Sequence, residues 1–199
     1  MGELILTMHT SADGFVATES GEMWPAFGWP PEAQIVVNEL YREASAVVYG
    51  RTLYETVVPF WTRVASDGVP EGAPLGPVDV EFAHLMVDLP KYVVSHDVTP
   101  SDPRTTAIHR NVIERLTAVK GAAVGHVLLL AGGGLAAELA RAGILDQLFL
   151  LTGPIVLGRG RPLLDLDEPL PTRLLSAQAL PPSCTILRYA VGLELPTSR

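Results

Sequence analysis

At 199 residues, 48% hydrophobic and 18% charged, the chain can bury roughly 70% of its unfolded surface, and the composition excludes a disordered polyelectrolyte. Its single cysteine, Cys184, excludes an internal disulfide framework and points to a reducing compartment. A formal net charge of −8, with 14 scattered basic residues, argues against nucleic acid as a partner but leaves room for one small anion.

The N-terminus Met1-Gly2-Glu3 carries no basic region, and the apolar run Leu4–Met8 is too short for a signal core. Leu6 stands where a myristoylation motif requires Ser or Thr. The richest apolar stretch, Val127–Leu157, is broken by Glu138, Arg141 and Asp146, so no span of ~20 residues is available. A soluble, cytoplasmic protein is expected.

Taken in order, Glu3–His9 predicts a first strand, followed by the turn cluster Ser11-Ala12-Asp13-Gly14 and a Gly-, Trp- and Pro-rich loop to Pro30. Pro31 opens a helix whose apolar face is Ala33, Val36, Val37, Leu40, Tyr41 and Ala44. Ala46–Tyr49 predicts a strand buried on both faces, and Gly50-Arg51-Thr52-Leu53-Tyr54-Glu55 begins another helix. From Arg63 to Pro77 the composition predicts a long surface loop, a domain linker being the other reading, which the small size of the preceding part disfavours. A short helix is expected over Val80–Val87, strands over Lys91–Ser95 and Thr105–His109, and a helix over Asn111–Val119. His126–Ala131 is a nearly continuous aliphatic strand running into Gly132-Gly133-Gly134; a helix over Leu135–Ala142 follows and stops at Gly143. The remainder predicts strands over Gln147–Thr152, Thr172–Leu180 and Thr185–Leu195, with Pro181-Pro182 joining the last two. Strand-helix alternation implies parallel β-α-β units with an antiparallel edge from the two terminal strands, about eight strands and four or five helices in one domain spanning 1–199.

The glycine triplet between a buried strand and a helix permits close approach of a phosphate to backbone N–H groups at a positive helix end. A tight strand-helix turn is the other reading. Neither a P-loop Lys-Ser/Thr nor the G-x-G-x-x-G spacing is present, since Ala137 stands where the third glycine would. Gly50-Arg51-Thr52 and Ser95-His96 form two further strand ends suited to an anion, Arg51 through its bidentate guanidinium, or alternatively through a local ion pair. Parallel strands would open all three at the carboxyl edge of the sheet, where α/β proteins bind ligands. Ser95-His96-Asp97 spells a hydrolase triad, but consecutive strand residues point to opposite faces. The histidines show no metal-ligand spacing, and no metal is expected.

These landmarks resemble the dihydrofolate-reductase-like superfamily, and within it the RibD C-terminal-domain-like proteins of riboflavin biosynthesis. They occur in order over Leu4 to about Leu195: Ser11–Gly14, Gly50–Glu55, Lys91–Ser95, Gly132–Gly134 and Pro154–Gly160. The resemblance implies a three-layer α/β/α fold with a mostly parallel eight-stranded sheet and an antiparallel C-terminal edge. It also implies a homodimer and an NADPH-dependent reductase acting on a small heterocyclic, carbonyl or imine substrate. On it, Arg51, Thr52, Ser95 and His96 would surround the adenosine 2′-phosphate, Gly50 would also bind the cofactor, and Gly132, Gly133, Gly134, Leu135 and Ala136 would cradle the pyrophosphate. Val16 and Ala17 would lie against the nicotinamide, and Asp13 would reach toward the substrate as a proton relay or, equally, stabilise its turn.

Two positions depart from the pattern. His96 stands where many relatives carry Arg, which bears on NADPH against NADH. Gln34 falls near the place of the carboxylate that assists pterin protonation, so folate itself is not the expected substrate. The loop Asp13–Pro30, with Met23, Trp24, Phe27 and Trp29, is either a lid over a flat substrate or core filling. Arg159 and Arg161 are candidates for an anionic substrate group, and Asp165–Glu168 reads as a solvated turn. The competing readings are a non-catalytic dinucleotide- or small-molecule-binding protein and a flavin-dependent reductase.

Overall fold

The computed structural model describes residues 2–22, 30–100, 102–182 and 184–192. Chain order runs β1 (Leu4–Thr10), β2 (Phe15–Ala17), α1 (Pro31–Arg42), β3 (Ala44–Gly50), α2 (Arg51–Asp67), α3 (Pro77–Asp88), β4 (Lys91–Val94) and β5 (Thr105–Ile108). It continues with α4 (Val112–Ala122), β6 (His126–Leu130), α5 (Gly133–Arg141), β7 (Gln147–Thr152), β8 (Arg161–Pro162), β9 (Thr172–Leu180) and β10 (Cys184–Val191). The large sheet has the order β5-β4-β3-β6-β1-β7-β10-β9, and β2 pairs with β8 in a small one. The expected eight-stranded, mostly parallel sheet with an antiparallel C-terminal edge is present. Among the described residues no helix is long and apolar enough to cross a membrane.

The chain forms two compact units, one of residues 29–130 with the N-terminal pair, the other of residues 3–28 with 131–199. In the first, β3 pairs in parallel with β4 and with β6, and β4 with β5. Ala46, Val47, Val48 and Tyr49 are all buried, as an apolar run without alternation predicts. The register sets Gly50 beside Val94 and Tyr49 beside Leu130, so β3, β4 and β6 end level with one another.

The face of α1 differs from its apolar pattern. Gln34 and Asn38 are buried with Ala33, Val37, Leu40 and Tyr41, whereas Val36 is half-buried. The amides are tolerated because they bond one another and α3: Gln34 Nε2 donates to Asn38 Oδ1 (2.9 Å), and Asn38 Nδ2 donates to the Val78 carbonyl (2.9 Å). Tyr41, Phe82 and Trp61 then join α1, α3 and α2 through edge-on ring contacts at 4.8 and 4.9 Å.

Several boundaries correct the expectation from sequence, among them the end of α1 at Arg42, which leaves Ala44 in β3. The loop expected from Arg63 is helical to Asp67, because Val58 and Val64 anchor α2 on either side of Pro59. Helix α3 starts at Pro77, three residues before the expected Val80, where proline costs no hydrogen bond and Asp79 accepts the Gly76 N–H at 2.7 Å.

In the second unit, β1 pairs in parallel with β7, and β10 runs antiparallel to both β7 and β9. The Pro181-Pro182 connection is the expected one. Gly143 has φ +69°, the left-handed cap expected after α5. Strand β9 is exposed over most of its length, including Leu174 and Leu175.

Candidate functional site

Within the second unit, the turn after β1 is tied to the segment after β7. Ala12 N–H donates to the Ile155 carbonyl (2.7 Å) and Gly153 N–H to the Thr10 carbonyl (2.9 Å). The Asp13 carboxylate accepts from Ser11 Oγ (2.7 Å), the Leu157 N–H (3.1 Å) and the Gly158 N–H (2.7 Å). Its hydrogen bonds from Ser11 and then from the Gly158 and Leu157 amides hold the carboxyl below the ordinary aspartate range. A carboxylate so held is a poor proton donor. Of the two readings of Asp13, the geometry favours the turn anchor, and its clamp shapes Leu157 and Gly158. Those residues, with Thr18, Glu19, Ser20 and Arg159, line a shallow hollow of about 740 Å³.

Because the folded-state pKa of Asp13 is lowered, its contribution to stability is present above the unfolded value and lost as pH falls through the folded one. Asp13→Ala is expected to lower amide-exchange protection of Leu157 and Gly158 at least about tenfold at neutral pH. Acidifying the unaltered protein from the ordinary aspartate value of about 3.9 down through the lowered folded-state one is expected to reproduce the loss progressively, and exchange read by mass spectrometry reports both. Unchanged protection in the variant would refute the anchoring role.

Strands β2 and β8 bring Phe15 opposite Pro162 and Ala17 opposite Arg161. Gly160 is required there, since a Cβ would stand 2.4 Å from the Ala17 carbonyl oxygen. Ala17 is buried and Val16 half-buried, so of the expected nicotinamide pair only Val16 presents side-chain surface. A Cβ built on Gly132 would lie 3.5 Å from Val16 Cγ2, so the structure does place Val16 beside the glycine triplet. The Arg161 guanidinium lies against Gly21, whose Cβ would meet it at 2.5 Å.

The triplet is divided in its roles. Helix α5 begins inside it, with Gly132 as N-cap and no side-chain cap. Gly133 has φ +49° and donates its N–H to the Leu163 carbonyl (3.1 Å), so that amide is committed to the fold. Ala136 lies one residue past the helix positions whose N–H groups lack intrahelical partners, and its side chain is fully buried. The N–H groups able to meet an anion are therefore those of Gly132, Gly134 and Leu135. A Cβ on Gly134 would meet no atom within 4 Å; packing of this chain does not demand glycine there.

In the first unit, Arg51 opens α2 and forks between Glu55 Oε1 (3.1 Å) and Asp97 Oδ2 (2.7 Å). All three side chains are about half-exposed or more. Thr52 and His96 are exposed. Ser95 is buried, and its Oγ accepts the Asp97 (3.2 Å) and Val98 (3.3 Å) N–H groups, so the hydroxyl shapes the turn that carries Asp97. It forms no triad. Pairing of β4 with β5 adds two residues that sequence reasoning missed: His109, whose Nδ1 lies 2.7 Å from the Ser95 carbonyl oxygen, and Arg110. Arg110 forms no ion pair among the described residues. Met23, Trp24, Phe27 and Trp29 lie outside those residues.

Gln34, expected at the place of a pterin-protonating carboxylate, bonds Asn38 instead. Arg141 Nη2 donates to the Asp165 carbonyl (2.6 Å), which holds the acidic turn against α5.

The strand order and the helix-opening glycines define a dihydrofolate-reductase-like α/β protein. The chain belongs to the family described as RibD C-terminal domain, whose model matches residues 3–186. It is 23% identical over 162 residues to "Uncharacterized protein YyaP" of Bacillus subtilis, covering 80% of this chain and 79% of that one. Its fold is similar to the diaminohydroxyphosphoribosylaminopyrimidine deaminase/5-amino-6-(5-phosphoribosylamino)uracil reductase of Thermotoga maritima, at 15% identity and TM-score 0.65 over 96% of this chain and 57% of that one. It is also similar to a dihydrofolate reductase of Enterococcus faecalis, solved with NADP(H), at 13% identity and TM-score 0.60 over 96% of both chains.

Proposed function

We propose that this chain is an NADPH-dependent reductase of a small heterocyclic, carbonyl or imine substrate. One observation carries the reading: α5 opens on amides without a side-chain cap, and a Cβ on Gly134 in its first turn would meet no atom within 4 Å. Such an arrangement fits a pyrophosphate, which needs N–H donors at a positive helix end and unhindered approach. Membership of a family named for a riboflavin-pathway domain supports it, as does the fold shared with a reductase solved with NADP(H).

On this reading Gly132, Gly134 and Leu135 hold the pyrophosphate, Val16 packs against the nicotinamide, and Arg51, Thr52, His96 and Arg110 meet the 2′-phosphate end. When bound, the cofactor supplies a hydride from its nicotinamide ring to a polarised C=N or C=O bond. The protein's own work is positioning and exclusion of water. Asp13 is a clamp on Leu157 and Gly158, not the proton donor.

The absence of an acid at either expected place, with Asp13 anchored and Gln34 neutral, also favours a second reading, a dinucleotide-binding protein without turnover. Steady-state oxidation of NADPH with a panel of pterins, ribosylaminopyrimidines and small aldehydes separates the two. The reductase reading expects substrate-dependent oxidation with at least one class. Tight binding with no oxidation on any of them would overturn it in favour of the binding protein.

A further inference from the structure

Arg51 is the one cation at the β3–α2 junction, and the fold already occupies it. Its Nε donates to Glu55 one helical turn later, and its Nη1 donates to Asp97 across from β4. Two carboxylates around one guanidinium leave that corner with a net charge of −1. The backbone that carries Asp97 is fixed: Ser95 Oγ accepts the Asp97 N–H and the following Val98 N–H, which sets the turn facing Arg51.

A guanidinium pairs bidentately with a carboxylate or a phosphate, using the same N–H edges. Both ion pairs are half-exposed or more, and exposed pairs are weak, so they exchange for a phosphate dianion readily. Exchange nevertheless has a cost, because the displaced carboxylate remains within a few ångströms of the incoming dianion, inside the ~8 Å screening length. A dinucleotide lacking the 2′-phosphate meets no such competition.

We propose that Asp97, with Glu55 in support, is a specificity-determining residue for the coenzyme, an internal carboxylate competitor for the guanidinium that a 2′-phosphate requires. This rests on the dinucleotide reading above. The unaltered protein accordingly binds NADPH with only a small advantage over NADH, and loss of the Asp97 charge widens that advantage. Arg110, without an ion pair among the described residues, follows β5, the strand paired with β4, and on this reading supplies the remaining cation for NADPH.

Isothermal titration of NADPH and NADH into the unaltered protein, Asp97→Asn, Arg51→Ala and the double variant tests it. The expected NADPH advantage over NADH is under about tenfold in the unaltered protein. Asp97→Asn is expected to tighten NADPH binding about three- to tenfold with NADH changed less than twofold, and the double variant to lose that gain. These magnitudes match exchange of one exposed ion pair. An unchanged NADPH-to-NADH ratio in Asp97→Asn, or a gain that survives in the double variant, overturns the role of Asp97 while leaving dinucleotide binding in place. No heat with either nucleotide in any variant overturns both readings together.

Discussion

Gly134→Val is expected to weaken NADPH binding about 10- to 100-fold while the protein stays folded. The magnitude is that of one charge-assisted hydrogen bond to a phosphate oxygen, about 1.5–3 kcal/mol. Two branches on Cβ at the second residue of α5 stand where the anion must approach. The Cβ itself finds open space, meeting no atom within 4 Å. Gly134→Ala is the sharper companion. In a helix alanine is favoured over glycine by about 0.5–1 kcal/mol, so melting temperature is expected to hold or rise while affinity falls. Loss of stability and affinity together would instead show that glycine is there for the fold. Gly133 offers no such separation, because its φ of +49° and its bond to Leu163 make any side chain a strain on the backbone.

Lys91→Ala is expected to have the largest effect on stability, about 3 kcal/mol or more, made of a cavity along the buried stem and unpaired carbonyls. For a chain of this length that is a fall of roughly 6–12 °C in Tm. Lys91 is only 1% exposed, and its Nζ donates to the Val87 (2.8 Å) and Leu89 (3.0 Å) carbonyls at the end of α3, with Asp102 Oδ2 at 3.4 Å. The residue thus closes the last turn of α3 and starts β4, the strand that leads into Ser95 and His96. Burial lowers the Lys91 pKa, and the nearby Asp102 opposes that shift. A lowered folded-state value means this group stabilises most above its unfolded pKa of about 10.4 and progressively less as pH falls through the folded one. Lys91→Met keeps the stem and removes the buried charge, so it is expected to recover part of the loss. Thermal melts of the two variants check this, and equal losses in both would contradict the cavity component.

Elements that bury a long, single-minded face were legible in the sequence. The aliphatic run of β6 and the start of α1 at Pro31 needed only hydropathy and a helix-initiating proline. Strands β2 and β8 were not legible, because three and two residues are too few to show a period of two. The extension of α2 to Asp67 was hidden by Pro59 and by the polar composition after Arg63, while its anchors Val58 and Val64 are only two residues. The start of α3 did leave a signal, Gly76-Pro77 with an acid two residues on, which a helix-start reading weighted above loop composition would have found.

At the site, chain-local features were readable and distant partners were not. The glycine triplet stands out in one dimension, but the commitment of the Gly133 amide depends on Leu163, brought in by the β2–β8 pair. Asp13 and the Gly158 amide it holds are 145 residues apart, and Arg51 and Asp97 are 46 apart. No spacing rule reaches that far. Arg110 enters only through the parallel register of β4 and β5.

The account stands on the α5 amides receiving the pyrophosphate of a dinucleotide. Calorimetric titration of NADPH into the unaltered protein measures that directly. The prediction is saturable one-to-one binding with a dissociation constant between about 1 μM and 1 mM, the span usual for enzyme substrates. Absence of any binding heat with millimolar NADPH would contradict it.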